Sequence, residues 1–142
     1  MPYIIVQMRE ITGIIVDGSH VATGLLKPVL PLIEKRMELA GLVPGTLNVR
    51  LSEGYIVTAH AVVTPVEYGF NETLKLQRCL IEGRKAIIMR PDTHEKNPKY
   101  GHGTNHFELL GPINFREVLG LENGDEVRLE IEGDDDWWNA RT

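Results

Sequence analysis

Residues 44 to 51 read Pro44-Gly45-Thr46-Leu47-Asn48-Val49-Arg50-Leu51, and no other stretch restricts the possible folds so tightly. Pro44 presets its own φ, and Gly45 accepts the positive φ that a turn often asks of the next position. Strict alternation follows. Leu47, Val49 and Leu51 share one strand face, and Thr46, Asn48 and Arg50 share the other. A strand with one apolar face must bury it against further strands or a helix. The rest of the chain supplies such partners. Ile4–Met8 and Ile11–Val16 are apolar and β-branched, and Tyr55–Val63 is a long β-rich run closed by Thr64-Pro65. Leu74, Leu76 and Leu80 alternate with Lys75, Gln77 and Ile81, and Glu82-Gly83-Arg84 reads as a hairpin turn into Ala86–Met89. After Asn123-Gly124, Val127, Leu129 and Ile131 alternate with charged residues. Two short helices complete the pattern. One begins at Pro31, carries Leu32, Ile33, Met37 and Ala40 on a stripe, and stops at Gly41; the other covers Ile113–Leu119.

Many short strands with two small helices predict a mainly β protein folded as a compact barrel. Residues 1–133 read as a single domain. Residues 134–142 read as an acidic and aromatic tail, with Trp137 and Trp138 packed on the barrel or on a neighbouring subunit. At 142 residues, 42% of them hydrophobic and 25% charged, the chain can bury a sizeable core and is not of disordered composition. No apolar run approaches the roughly 20 residues that span a bilayer, and the first residues lack a signal peptide's basic start and cleavage site. The single cysteine, Cys79, forms no internal disulfide, which fits a cytoplasmic protein. A net charge of −5 with scattered basic residues argues against nucleic acid as a partner and leaves a single nucleotide open.

Two regions carry candidate chemistry. Thr46 and Asn48 present hard, neutral oxygens of the kind Mg²⁺ accepts when a substrate's phosphates supply the negative charge; the alternative is a hairpin strand with an ordinary polar face. The stretch between Thr93 and Glu108 is rich in Gly, Pro and Asn and reads as a lid, and it holds His94, His102 and His106. His106 and Glu108 alternate onto one face, where His94 or His102 could complete a transition-metal site. His60, amid Ala, Val and Thr, reads as a satisfied barrel histidine rather than a catalyst.

The Gly45-Thr46-Leu47-Asn48 turn and strand resembles the signature of the archaeal-type, CTP-dependent riboflavin kinases. The resemblance continues through Gly13 with Ile14-Ile15-Val16, Ala40-Gly41, Arg90-Pro91, Phe107-Glu108-Leu109-Leu110-Gly111-Pro112, Phe115-Arg116-Glu117 and Leu121–Val127, in the family's order. It implies a six-stranded cradle-loop β-barrel that transfers a phosphoryl group from CTP to riboflavin, giving FMN. It also implies Mg²⁺ on Thr46 and Asn48, flavin contacts from Thr93 and Glu108, and Glu108 as the group that orients the attacking hydroxyl. The nucleotide falls to the 17–24 loop (Gly18, Ser19, His20, Thr23 and Gly24) and to Ile113, Asn114, Phe115 and Arg116. The loop departs from the family, which is glycine-rich there. Asp17-Gly18-Ser19-His20-Val21-Ala22-Thr23-Gly24 keeps a glycine near each end and places side chains between, so Ser19, His20 and Thr23 would have to donate to the phosphates. Two other readings stay open, a non-catalytic nucleotide- or flavin-binding barrel and a metal-dependent enzyme built on His94, His102, His106 and Glu108. Leu119–Asp125 is also similar to swapped-hairpin transcription factors, against which the acidic balance counts. On an outward strand face, Asn48→Ala should cost the fold no more than about 0.5 kcal/mol.

Overall fold

Strands whose alternate residues are apolar close here into a barrel. The computed structural model describes residues 9–17, 27–69, 72–92, 104–131 and 134–142. Its strands are β1 (Arg9–Val16), β2 (Leu47–Leu51), β3 (Ala61–Val63), β4 (Leu74–Ile81), β5 (Arg84–Pro91), β6 (His106–Leu110) and β7 (Glu126–Ile131). They form one antiparallel sheet in the order β3-β4-β5-β6-β2-β1-β7, and a further pairing of β4 with β7 closes six of them into the expected barrel. One edge of β4 is divided to allow this. Leu74–Leu76 pair with β3, and Cys79–Ile81 pair with β7. The region expected at 4–8 lies outside the described residues.

The two faces of each strand have different fates. Ile11, Ile15, Leu47, Val49, Leu51, Ile88, Phe107, Leu109, Val127 and Leu129 fill the interior. The opposite faces of β4, β5 and β6 contribute Leu76, Leu80, Ile87, Met89 and Leu110 to a second cluster, covered by helix α1 (Leu30–Met37) through Leu30, Ile33 and Met37. Helix α1 ends at Glu38, which takes φ 55, and not at Gly41 as the stripe suggested. The reason is Leu39. Two residues beyond Met37 it would sit about 200° around the helix, on the solvent face; the early stop lets it bury to 4% exposure.

The expected long strand from Tyr55 to Val63 is paired only over its last three residues. Residues 54–60 bond instead to side chains and single carbonyls: Thr58 N–H donates to Gln77 Oε1 at 3.0 Å, and His60 N–H to Leu76 O at 2.8 Å. His60 itself is exposed, and its Nδ1 accepts from Arg78 N–H at 3.0 Å. It therefore serves the gap that β3 and β7 leave on the edge of β4, rather than sitting inside the barrel. The hairpin at Glu82-Gly83 is as expected; both residues have positive φ, as a type I′ turn requires.

Beyond α1 and α3 (Phe115–Leu119), which answer to the two expected helices, there are α2 (Pro65–Tyr68) and α4 (Asp134–Asn139). Helix α4 brings the C-terminal tail onto the sheet. Trp137 is 1% exposed and its indole Nε1–H donates to Ala86 O at 3.2 Å, while Lys85 N–H donates to Arg141 O at 2.6 Å.

Gly13 of β1 lies opposite Leu51 of β2 with no room for a side chain. A Cβ there would collide with Val49 Cγ1 and lie 3.3 Å from Arg50 O. Gly13→Ala is expected to destabilise the barrel by about 1–3 kcal/mol through overpacking, read as a lower urea midpoint with an unchanged slope.

Candidate functional site

Because Leu47, Val49 and Leu51 point into the core, Thr46, Asn48 and Arg50 face outward, and the neighbouring strand repeats the arrangement. Phe107 and Leu109 point inward on β6, leaving His106 and Glu108 outward. Asn48 lies opposite Glu108 and Arg50 opposite His106. The side chains bond along the diagonal. Thr46 Oγ1–H donates to Glu108 Oε1 at 2.8 Å, and His106 Nε2 lies 3.0 Å from Asn48 Oδ1. Asn48 is only 8% exposed and His106 5%. The expectation that Asn48→Ala is nearly neutral for the fold therefore fails. Removing the carboxamide would strip a buried imidazole of this partner, at a cost of about 1–2 kcal/mol.

A cleft of about 250 Å³ opens beside this face. Pro44, Gly45 and Thr46 form one wall, and Ile113, Asn114, Phe115 and Arg116 line it from the other side. Two groups of candidate residues far apart in the chain thus meet at one cavity. Local chemistry explains the second wall. Asn114 caps α3, its Oδ1 accepting from Glu117 N–H at 3.2 Å. Phe115 is 4% exposed and packs against Gly111, where a Cβ would lie 2.7 Å from the ring's Cε2. Phe115 is therefore a core residue as well as a cleft wall. Arg116 Nη2 donates to Asn123 Oδ1 at 2.8 Å and to Val16 O at 3.3 Å, and stands 3.9 Å from Asp17 Oδ1. It ties the end of β1, where the 17–24 loop begins, to the cleft. Gly18, Ser19, His20, Thr23, Gly24, Thr93, His94 and His102 lie outside the described residues.

A second cleft, about 210 Å³, is lined by Val16, Asp17, Arg50, Asn105 and His106. His106 lines this second cleft, and Asn48, bonded to it, lines neither of the two. For a cation, the donor chemistry fits a hard ion: Thr46 Oγ1 and Asn48 Oδ1 are neutral oxygens two residues apart on one face. Among the described residues, no three of His, Cys, Asp and Glu come together as a metal cluster.

One structural residue escaped the sequence reading. Arg90 is fully buried inside the barrel, and its guanidinium donates to Tyr55 O, to Thr104 O at 2.8 Å and to His106 O at 3.0 Å. It fixes the backbone where β6 begins, immediately before Glu108. The only sequence signal is an arginine closing an apolar strand, which reads equally well as a surface residue.

Comparison with known proteins bears on the same residues. The family model for CTP-dependent riboflavin kinases, described as a domain of unknown function, DUF120, matches residues 32–131. That range includes Thr46, Asn48, Glu108 and Ile113–Arg116. Over 93 residues, 63% of this chain and 41% of the relative, the chain is 43% identical to a riboflavin kinase of Methanocella arvoryzae. It is 31% identical over 129 residues to one of Thermococcus kodakarensis, covering 85% of this chain and 58% of the relative. A riboflavin kinase of Methanopyrus kandleri is 31% identical over 111 residues, 69% of this chain and 65% of the relative. The chain thus spans about half the length of the first two relatives.

Arg90 falls within the matched range, and its role can be tested on stability alone. Arg90→Met keeps the length of the side chain and removes every donor. It is expected to cost about 3 kcal/mol or more, because three carbonyls, two of them buried, lose a charged partner together, read by chemical denaturation.

Proposed function

The chain belongs to the CTP-dependent riboflavin kinase family, and from that membership we propose that it transfers the terminal phosphoryl group of CTP to the ribityl 5′-hydroxyl of riboflavin, giving FMN and CDP. The observation that carries the reading is the single cleft where the Thr46 turn meets Ile113–Arg116, with Glu108 bonded to Thr46 at its edge. Phosphoryl transfer depends mainly on alignment and on neutralising developing charge. In this reading Ile113, Asn114, Phe115 and Arg116 hold the nucleotide together with Gly18, Ser19, His20, Thr23 and Gly24. Thr46 and Asn48 would hold Mg²⁺, which when bound offsets the negative charge of the phosphates. Thr93 and Glu108 engage the flavin.

Glu108 has the most specific task. Its carboxylate accepts the Thr46 hydroxyl proton at one oxygen, and in this reading it orients the ribityl hydroxyl and takes its proton as the new P–O bond forms. The reading also places the protein in the cytoplasm. Its one cysteine, Cys79, is buried with its thiol pKa pushed up by desolvation, which suits a reducing compartment without requiring one. Among the described residues no helix is long and apolar enough to cross a membrane.

Two substitutions test the assignment. Glu108→Gln keeps an oxygen that can accept from Thr46 and removes the base; FMN formation from riboflavin and CTP should fall by about 10²- to 10⁴-fold with little change in stability. Asn48→Ala should lower turnover by about 100-fold or more while the protein stays folded. Unchanged FMN formation in Asn48→Ala would remove Asn48 from the site. If riboflavin and CTP bind and no FMN forms, the non-catalytic binding barrel replaces the kinase. Near-stoichiometric Zn, Fe, Mn, Ni or Cu in untagged protein would instead favour the metalloenzyme reading on His94, His102, His106 and Glu108.

A further inference from the structure

An asparagine carboxamide can offer a cation its oxygen or, turned through half a revolution, two N–H donors that repel it. The two ends have nearly the same shape, so packing alone does not choose between them; hydrogen-bonding neighbours do. Asn48 is 8% exposed and cannot leave the choice to solvent. Its Oδ1 meets the Nε2 of His106 at 3.0 Å across the β2–β6 ladder. In the Nε2–H tautomer that nitrogen is a donor and selects the oxygen end. The imidazole is itself held, since it is 5% exposed and its own backbone carbonyl accepts from the buried Arg90 guanidinium at 3.0 Å.

We propose that His106 is a positioning residue: it fixes the rotamer and the end-to-end orientation of the Asn48 carboxamide so that Oδ1 is presented to the cation that accompanies the nucleotide. The inference rests on the reading of Thr46 and Asn48 as the residues that hold that cation. It separates His106 from any ligand role of its own. One lone pair of Asn48 Oδ1 is taken by the imidazole N–H, and the second remains for a metal. Thr46 is held by the same logic, its hydroxyl proton directed to Glu108 and its lone pairs turned away from it. Thr46, just before β2, and Asn48, on it, thus each have a side-chain partner on β6, and for Asn48 that partner is two residues off its direct opposite, Glu108.

Isothermal titration of the full chain with CTP, in the absence of riboflavin and over a series of Mg²⁺ concentrations, reads the gain in nucleotide affinity that the ion confers without any turnover. The parent should bind CTP more tightly as Mg²⁺ rises. His106→Leu should cut that gain about five- to tenfold, the weight of one hydrogen bond, and leave CTP binding without Mg²⁺ unchanged. His106→Gln, whose side-chain N–H₂ can reach the same oxygen, should recover most of the loss. His106→Asn is polar but too short to reach; it should behave as the leucine variant does and replaces it if that protein does not fold, as judged by thermal unfolding. Combining His106→Leu with Asn48→Ala should be no worse than Asn48→Ala alone, because the imidazole acts only through the carboxamide. A His106→Leu protein with the full Mg²⁺ gain, beside an Asn48→Ala protein that has lost it, overturns the positioning role and leaves Asn48 in place. Absence of any gain in the parent overturns the ligand reading of Thr46 and Asn48, and the positioning role with it.

Discussion

A guanidinium inside a β-barrel is the interaction on which the rest of this structure depends. The interior is otherwise lined with Ile, Leu, Val and Phe, where an unsatisfied charge would be costly. Arg90 is tolerated because backbone carbonyls from two separate segments, at Tyr55 and at Thr104 and His106, converge on it. Those segments are irregular: residues 54–60 lack a strand partner along most of their length, and Thr104 and Asn105 form a turn. Neither is secured by a ladder. The cation therefore joins these two segments at the point where β6 starts, adding to the backbone bonds Tyr55 N–H to Thr104 O and Leu51 N–H to Asn105 O.

From that starting point the outward face of β6 and the outward face of β2 become a matched polar surface. Four side chains form two diagonal hydrogen bonds, and the partners are 62 and 58 residues apart in the chain. Cross-strand pairs of this sort stabilise a sheet only modestly. Their larger effect is geometric, because a threonine hydroxyl and an asparagine carboxamide on a surface would sample several rotamers. Here the burial of Asn48 and His106 removes that freedom before any ligand arrives, which is the form of preorganisation that rewards charge stabilisation in a transition state.

Much of this was legible in the sequence, and the parts that were not share a cause. Period-two alternation placed β2, β4 and β7 and divided Thr46, Asn48 and Arg50 from Leu47, Val49 and Leu51, because side-chain direction in a strand is a local property. The Glu82-Gly83 turn was equally local. What escaped depends on distant partners. Tyr55–Val63 has strand composition, yet its first residues bond to Gln77 and Thr104. His60 lies at the surface because β4's edge has a gap, which follows from barrel closure alone. Glu38 ends α1 because Leu39 has a buried place to go. Trp137 was foreseen on the barrel or a neighbour, and only the packed hairpin β4–β5 decides between them. Arg90 is the extreme case, since nothing near it in the chain marks it as buried.

Strand β2 also acts as a ruler. Thr46 borders one cleft, Arg50 borders the other, and four residues of extended chain separate them, a span of about 13 Å at 3.3 Å per residue. Leu47–Arg50 pair with β6 and Asn48–Arg50 also with β1, so most of that interval is held by the sheet. Two molecules lodged in the clefts would meet at a separation set by covalent geometry. Discrimination between long and short occupants would then come from the backbone of the barrel, and would survive most changes to the side chains that line it.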